Sequence, residues 1–189
     1  MVKSILLVGV GGQGTILASK LLTAGLVEAG YDVKMSEIHG MSQRGGSVST
    51  DVRYGDKVES PVIEMGEADI IVAFEKMEAL RWLKYLKKGG KIVVNDYEIE
   101  PMPVVSGKVD YPKEIIEELN KSAVTKVIDA ANQAEKLGSP KVMNVILLGT
   151  IIKLMGLEEI DWKKIIKDNV KEKFVDLNQK AVKVGMNLV

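Results

Sequence analysis

The sequence predicts an α/β protein: a three-layer α/β/α sandwich with a mixed, mostly parallel sheet and a helical C-terminal third. Three observations carry this. Apolar runs at residues 4–10, 68–74 and 91–96 are short and continuous, as expected of strands buried on both faces of a sheet. Segments with helical spacing alternate with them. From Asp129 onward the pattern is almost entirely helical.

In chain order, residues 4–10 form a first strand that ends in glycines. Residues 14–29 carry Ile16, Leu17, Leu21, Leu22 and Leu26 at helical spacing, with Gly30 as a stop. Residues 33–38 give a second strand, which completes a βαβ unit with a right-handed crossover. Residues 47–54 alternate Val48, Thr50, Val52 and Tyr54 with Ser47, Ser49, Asp51 and Arg53. This pattern, the Gly55-Asp56 turn and an extended piece to Ile63 read as a hairpin with one wetter face. Residues 68–74 are a strand, 76–87 a helix and 91–96 a strand. Residues 98–112 are an irregular, proline-punctuated surface excursion. A short helix at 113–120 and a last strand at 124–128 precede helices at 129–137, about 140–155, and one or two more through 187. One domain over residues 1–189 is expected, since this length supports one well-buried core and is short for two.

Composition excludes several functions. The 26 basic and 26 acidic residues cancel, which removes the electrostatic case for nucleic-acid or anionic-membrane binding. With no cysteine there is no disulfide, no Cys nucleophile and no thiolate for an iron–sulfur cluster. A single histidine, His39, argues against an all-protein metal site. No apolar run is long enough for a signal sequence or membrane span, so a cytoplasmic protein is expected. The run 163–173, with Lys163, Lys164, Lys167, Lys171 and Lys173, reads as a solvated face.

Function concentrates in two loops. The first, "VGVGGQGTILASK", holds Gly9-x-Gly11-x-x-Gly14 between a strand and a helix. That spacing allows a tight turn and close backbone approach, and it offers the N–H groups of a helix start to an anion. Glu37 lies 23 residues beyond Gly14, near the end of the second strand, where a ribose-binding carboxylate would stand. A free-standing NAD(P)-binding oxidoreductase or nucleotide sensor is therefore one open reading. Against it, Gly12 and Gln13 put a third glycine and a long amide inside the loop, and no dehydrogenase acid–base pair follows. A loop that only packs or docks a partner is another open reading.

The second loop, "SEIHGMSQRGGSV", follows the next strand, so in an open sheet it should share a crevice with the first. His39, Ser42, Gln43 and Arg44 among glycines suit an extended anionic ligand or a partner's backbone. Structural alternatives are an ion pair for Arg44 and a hydrogen-bonded imidazole for His39. Metal ligation is not expected.

"GVGGQGTILASKLL" followed by "SEIHGMSQRGGSVSTDVRYG" resembles the gamma-type domain of the 2-oxoacid:ferredoxin oxidoreductases. Residues 60–83, 144–157 and the segment with Asn178 and Gly185 extend the likeness over essentially the whole chain. "EIHGMSQRGG" points to the aryl-pyruvate branch. The resemblance implies oxidative decarboxylation of aryl pyruvates to acyl-coenzyme A with reduction of ferredoxin. It implies thiamine diphosphate, magnesium and iron–sulfur clusters on a large alpha subunit, and coenzyme A as co-substrate. This chain would bind no cofactor alone and would supply no bond-making residue. Gly9, Gly11, Gly12, Gln13, Gly14, His39, Ser42, Gln43 and Arg44 are its candidates for contacting coenzyme A or closing the shared site. Ferredoxin would be reached through the complex.

Overall fold

Alternating apolar runs and helical stripes assemble as a sheet with helices on both faces. The computed structural model describes residues 1–38, His39 by its backbone, and residues 45–189. In order, the elements are β1 (Lys3–Val10), α1 (Thr15–Glu28), β2 (Asp32–His39), β3 (Ser47–Gly55), β4 (Ala68–Ala73), α2 (Lys76–Trp82), β5 (Leu86–Asn95), α3 (Met102–Val105), α4 (Ile115–Ser122), β6 (Val124–Ile128), α5 (Ala130–Lys136), α6 (Met143–Met155), α7 (Trp162–Asn169) and α8 (Val175–Met186). The described strands form one six-stranded sheet in the order β2-β3-β1-β4-β5-β6. Only the pairings of β3, with β1 and with β2, are antiparallel; β1, β4, β5 and β6 pair in parallel.

Period-two alternation on β1 sorts the core. Ile5 and Leu7 pack with Leu21, Leu22 and Leu26 of α1 and with buried residues of α5 to α8. Leu6 and Val8 face the other way, toward Ala79 of α2 and Ile115 and Leu119 of α4. All four β1 side chains are fully buried, each contributing about 1.5–3 kcal/mol. This gives the three layers expected from the sequence. The crossover through α1 runs one way from β1, and those through α2 and α4 run the other way. Their helices lie on opposite faces, as a common hand of crossover requires.

Four local expectations are corrected. β2 does not lie beside β1, because β3 is inserted between them. The partner of β3 in the hairpin is β2, from Asp32 opposite Gly55 to His39 opposite Val48, and not residues 57–63. The face of β3 expected to be wet is largely buried, with Ser49 and Asp51 at 2% and 7% exposure; Asp51 accepts a hydrogen bond from Ile63 N at 3.0 Å. The helix expected to reach residue 87 ends at Trp82, and a 3-10 turn, Leu83–Tyr85, leads directly into β5.

Burial raises the pKa of Asp51 above its ordinary 3.8, opposed by the Ile63 N–H and by Arg53. The folded state therefore holds this proton more tightly than the unfolded chain. The penalty is absent below the unfolded pKa and fully present above the folded one. Asp51→Asn keeps an acceptor for Ile63 and removes the charge. Its melting temperature should exceed the wild type's near pH 7, and the gain should fade near pH 3. An equal difference at both values would contradict this assignment.

Candidate functional site

The two opposed crossovers start from neighbouring parallel strands, β1 and β4. The carboxyl ends of these strands mark the switch point at which open α/β sheets place their ligands. A cleft of about 650 Å³ opens there. One wall is Gly11, Gly12, Gln13 and Gly14. The others are Tyr97 and Ile99 after β5, Ala131 and Glu135 of α5, and Pro140, Lys141, Met143 and Asn144 at the approach to α6.

Gly14 occupies the N-cap of α1 with φ +81°, and no described side chain caps the helix. The N–H groups of Thr15 and Ile16 thus have no partner within the helix and sit at the positive end of its dipole, while Leu17 N already bonds Gly14 O. No acidic residue stands in that first turn. A second helix dipole points its positive end at the same cleft. The 3-10 turn Pro140–Val142 runs straight into α6 with no first-turn acid, although Val142 N and Met143 N are already bonded to Ser139 O and Pro140 O. Lys141 stands at that entrance, opposed by Glu135 alone among the lining residues. The arrangement favours an anion.

The floor is built by neutral amides. Gln13 Oε1 accepts from Val10 N at 2.8 Å, and its Nε2 donates to Phe74 O at 3.0 Å. A Cβ on Gly9 would stand 2.8 Å from that Oε1, so the amide occupies the space a side chain at Gly9 would need. Asn95, fully buried, donates to the same Phe74 O at 3.2 Å and accepts from Ala130 N at 2.9 Å. These contacts tie the ends of β1, β4 and β5 to the start of α5. Asn144 Nδ2 donates to Gly14 O at 2.9 Å.

Behind the floor, two buried carboxylates fix α2. Glu75 caps it, accepting from Glu78 N at 2.9 Å, and also holds Ile99 N at 3.3 Å and the Tyr111 hydroxyl. Burial and that bond push the Tyr111 hydroxyl well up, so it stays a donor. Glu78 accepts from Arg81 Nε at 3.0 Å, Trp82 Nε1 at 3.2 Å and the Ser47 hydroxyl. A hydrogen bond to Glu98, with Asp96 adding to it, raises the pKa of Lys76.

The nine residues singled out by sequence fall into three groups. Gly11, Gly12, Gln13 and Gly14 line the cleft, and Gly9 lies beneath them. Gln13 acts inward, with both ends of its amide bonded to the backbone. Ser42, Gln43, Arg44 and the side chain of His39 lie outside the described residues. The end of their loop does reach the glycine turn: Gly11 N donates to Gly46 O at 2.8 Å, and Gly45 N to Gly11 O at 3.3 Å. Asn95, Lys141 and Asn144 were not anticipated. For Asn144 a signal existed, since it interrupts the longest apolar stretch of the chain.

Glu37 is not placed for a ribose. With β3 inserted, β2 stands two strand spacings from β1, roughly 10 Å rather than roughly 5 Å. The Glu37 carboxylate instead accepts from Ser19 Oγ of α1 at 3.1 Å. Among the described residues no cluster of three or more His, Cys, Asp or Glu could hold a metal ion. No described helix is long and apolar enough to cross a membrane.

Residues 4–188 match the profile of the family described as pyruvate ferredoxin/flavodoxin oxidoreductase. The chain belongs to this family. Within it, the chain is 40% identical to the indolepyruvate oxidoreductase subunit IorB of Archaeoglobus fulgidus, over 97% of this chain and 94% of that protein. It is 39% identical to the subunit of the same name from Thermococcus kodakarensis, with the same coverage. Among solved structures, the gamma subunit of a keto/oxoacid ferredoxin oxidoreductase from Geobacter sulfurreducens is similar in fold. Its TM-score is 0.72 at 24% identity, covering 98% of this chain and 97% of that one. The fold also matches 31% of the longer 2-oxoglutarate:ferredoxin oxidoreductase chain of Magnetococcus marinus, solved with 2-oxoglutarate, coenzyme A and succinyl-CoA bound. There the TM-score is 0.76 at 20% identity, over 99% of this chain.

Proposed function

We propose that this chain is the small subunit of a cytoplasmic indolepyruvate:ferredoxin oxidoreductase and that its cleft takes the anionic part of coenzyme A. The observation that carries the reading is the convergence of two electropositive helix starts, with Lys141, on one cleft bounded by the glycine turn. The diphosphate of coenzyme A matches that field. The names of the relatives at 39% and 40% identity supply the substrate class.

The remaining chemistry belongs to a larger partner subunit. This chain has no cysteine to ligate an iron–sulfur cluster, and its sequence carries no Gly-Asp-Gly…Asn motif of the kind that holds a magnesium diphosphate. Thiamine diphosphate with magnesium on the partner would supply decarboxylation of the aryl pyruvate, and clusters there would pass electrons singly to ferredoxin. What this chain does is hold coenzyme A so that its thiol meets the acyl group, and close the site against water. The expected products are an aryl-acetyl-coenzyme A, carbon dioxide and reduced ferredoxin.

Lys141→Glu tests this in the assembled enzyme. It should raise the KM for coenzyme A about tenfold, the size of a lost charged hydrogen bond, while leaving the KM for indolepyruvate in place. Coenzyme A should raise the melting temperature of the wild-type complex by mass action, and NADH should not. Stabilisation of the isolated chain by NADH, with no effect of coenzyme A on the complex, would favour the dinucleotide reading.

A further inference from the structure

Asn144 is out of character with its surroundings. It stands in the first turn of α6, where the other buried side chains are apolar except Thr150. It is only 4% exposed. Its Nδ2 donates to Gly14 O across 130 positions of sequence, while its buried Oδ1 has no hydrogen-bond partner among the described residues. Turning the amide over would set Oδ1 against Gly14 O, acceptor facing acceptor, so the orientation follows from the contact.

Gly14 O has no need of this donor. It already accepts from Leu17 N at 3.2 Å and Ala18 N at 3.4 Å. A buried acceptor left unpaired works against stability, and a leucine of similar size would avoid it. Stability therefore does not explain an asparagine here, whereas geometry does. The bond joins the start of α6 to the N-cap of α1, and these are the two helix starts that meet at the cleft. The approach is close: a Cβ on Gly14 would lie 2.5 Å from Nδ2.

We infer that Asn144 is a positioning residue that locks the two helix starts together so that both fields act on one anionic group of the ligand. This rests on the coenzyme A reading of the cleft given above. The residue stands in the cleft wall and holds Gly14 there, and it sets binding rather than the chemical step.

The test compares Asn144→Leu, Asn144→Ala and Lys141→Glu in the assembled two-subunit enzyme, reading the KM for coenzyme A, kcat and melting temperature. Asn144→Leu should keep or raise the melting temperature and still raise the KM about fivefold, the scale of a displaced helix-terminus interaction. The change in kcat should stay below about twofold. Asn144→Ala should raise the KM similarly despite the smaller side chain, and it decides the matter if the leucine variant does not assemble. An unchanged KM in both Asn144 variants beside a raised KM in Lys141→Glu would overturn the positioning role and leave the cleft reading intact. An unchanged KM in all three would sink both. A lowered melting temperature with an unchanged KM would show that Asn144 serves only to pack α6.

Discussion

Gly185→Ala should unfold the C-terminal third of the chain. A Cβ at Gly185 of α8 would stand 1.9 Å from Ile146 O and 3.0 Å from Gly149 Cα, both in α6. The reciprocal position is as tight, with a Cβ at Gly149 falling 2.3 Å from Val182 O. The contact is between backbones, so no rotamer change can relieve a methyl group there, and the helices must separate. Separation would loosen the core formed by Ile146, Leu147, Ala181 and Val182. The loss should exceed about 4 kcal/mol, the range reserved for overpacking that nothing can absorb. Urea denaturation of the variant should show a midpoint collapse or no folded baseline. A stability change under about 1 kcal/mol would mean that α6 and α8 do not pack through these glycines.

Gly14→Ala should combine a stability loss with a binding defect. The φ of +81° costs an L side chain about 1–2 kcal/mol, and the new methyl would fall 2.5 Å from Asn144 Nδ2. Gly12 separates the two effects. It has φ +104° but open space around its would-be Cβ, so Gly12→Ala should suffer strain alone. We expect Gly14→Ala to be less stable than Gly12→Ala by about 1 kcal/mol or more, the cost of a buried contact pushed aside. In the assembled enzyme Gly14→Ala should also raise the KM for coenzyme A. Equal denaturation midpoints for the two variants would show that the Asn144 contact does not constrain the turn.

These effects also mark what the sequence made legible. β1, β4 and the second half of β5 were readable because strands buried on both faces leave continuous apolar runs. The glycine turn was readable because a strand followed by a glycine-rich helix start has one economical geometry. Neighbourhood in the sheet was harder to see. Nothing local in residues 33–54 says that β3 enters between β1 and β2, since strand order is settled by pairing partners far apart in the chain. Because of that insertion, Glu37 looked placed for a ribose and is instead bonded to Ser19.

In the site, the glycines and Gln13 were identifiable, and the meeting of Gly45 and Gly46 with Gly11 followed from the order of loops at the strand ends. The inward direction of the Gln13 amide was not, because it depends on Phe74 O, 61 positions away. The far wall was equally hidden. Lys141 looked like any surface lysine among 26 basic residues, and Asn144 like a flaw in an apolar helix. Only packing of α6 against α1 brings both to the glycine turn.

The most direct test is a crystal structure of the assembled enzyme with coenzyme A. Its diphosphate should lie between the amides at the start of α1 and the Lys141 entrance of α6, with Asn144 still bonded to Gly14. Coenzyme A bound elsewhere with this cleft vacant, or a nicotinamide dinucleotide lying along residues 9–14 with its ribose on Glu37, would contradict it.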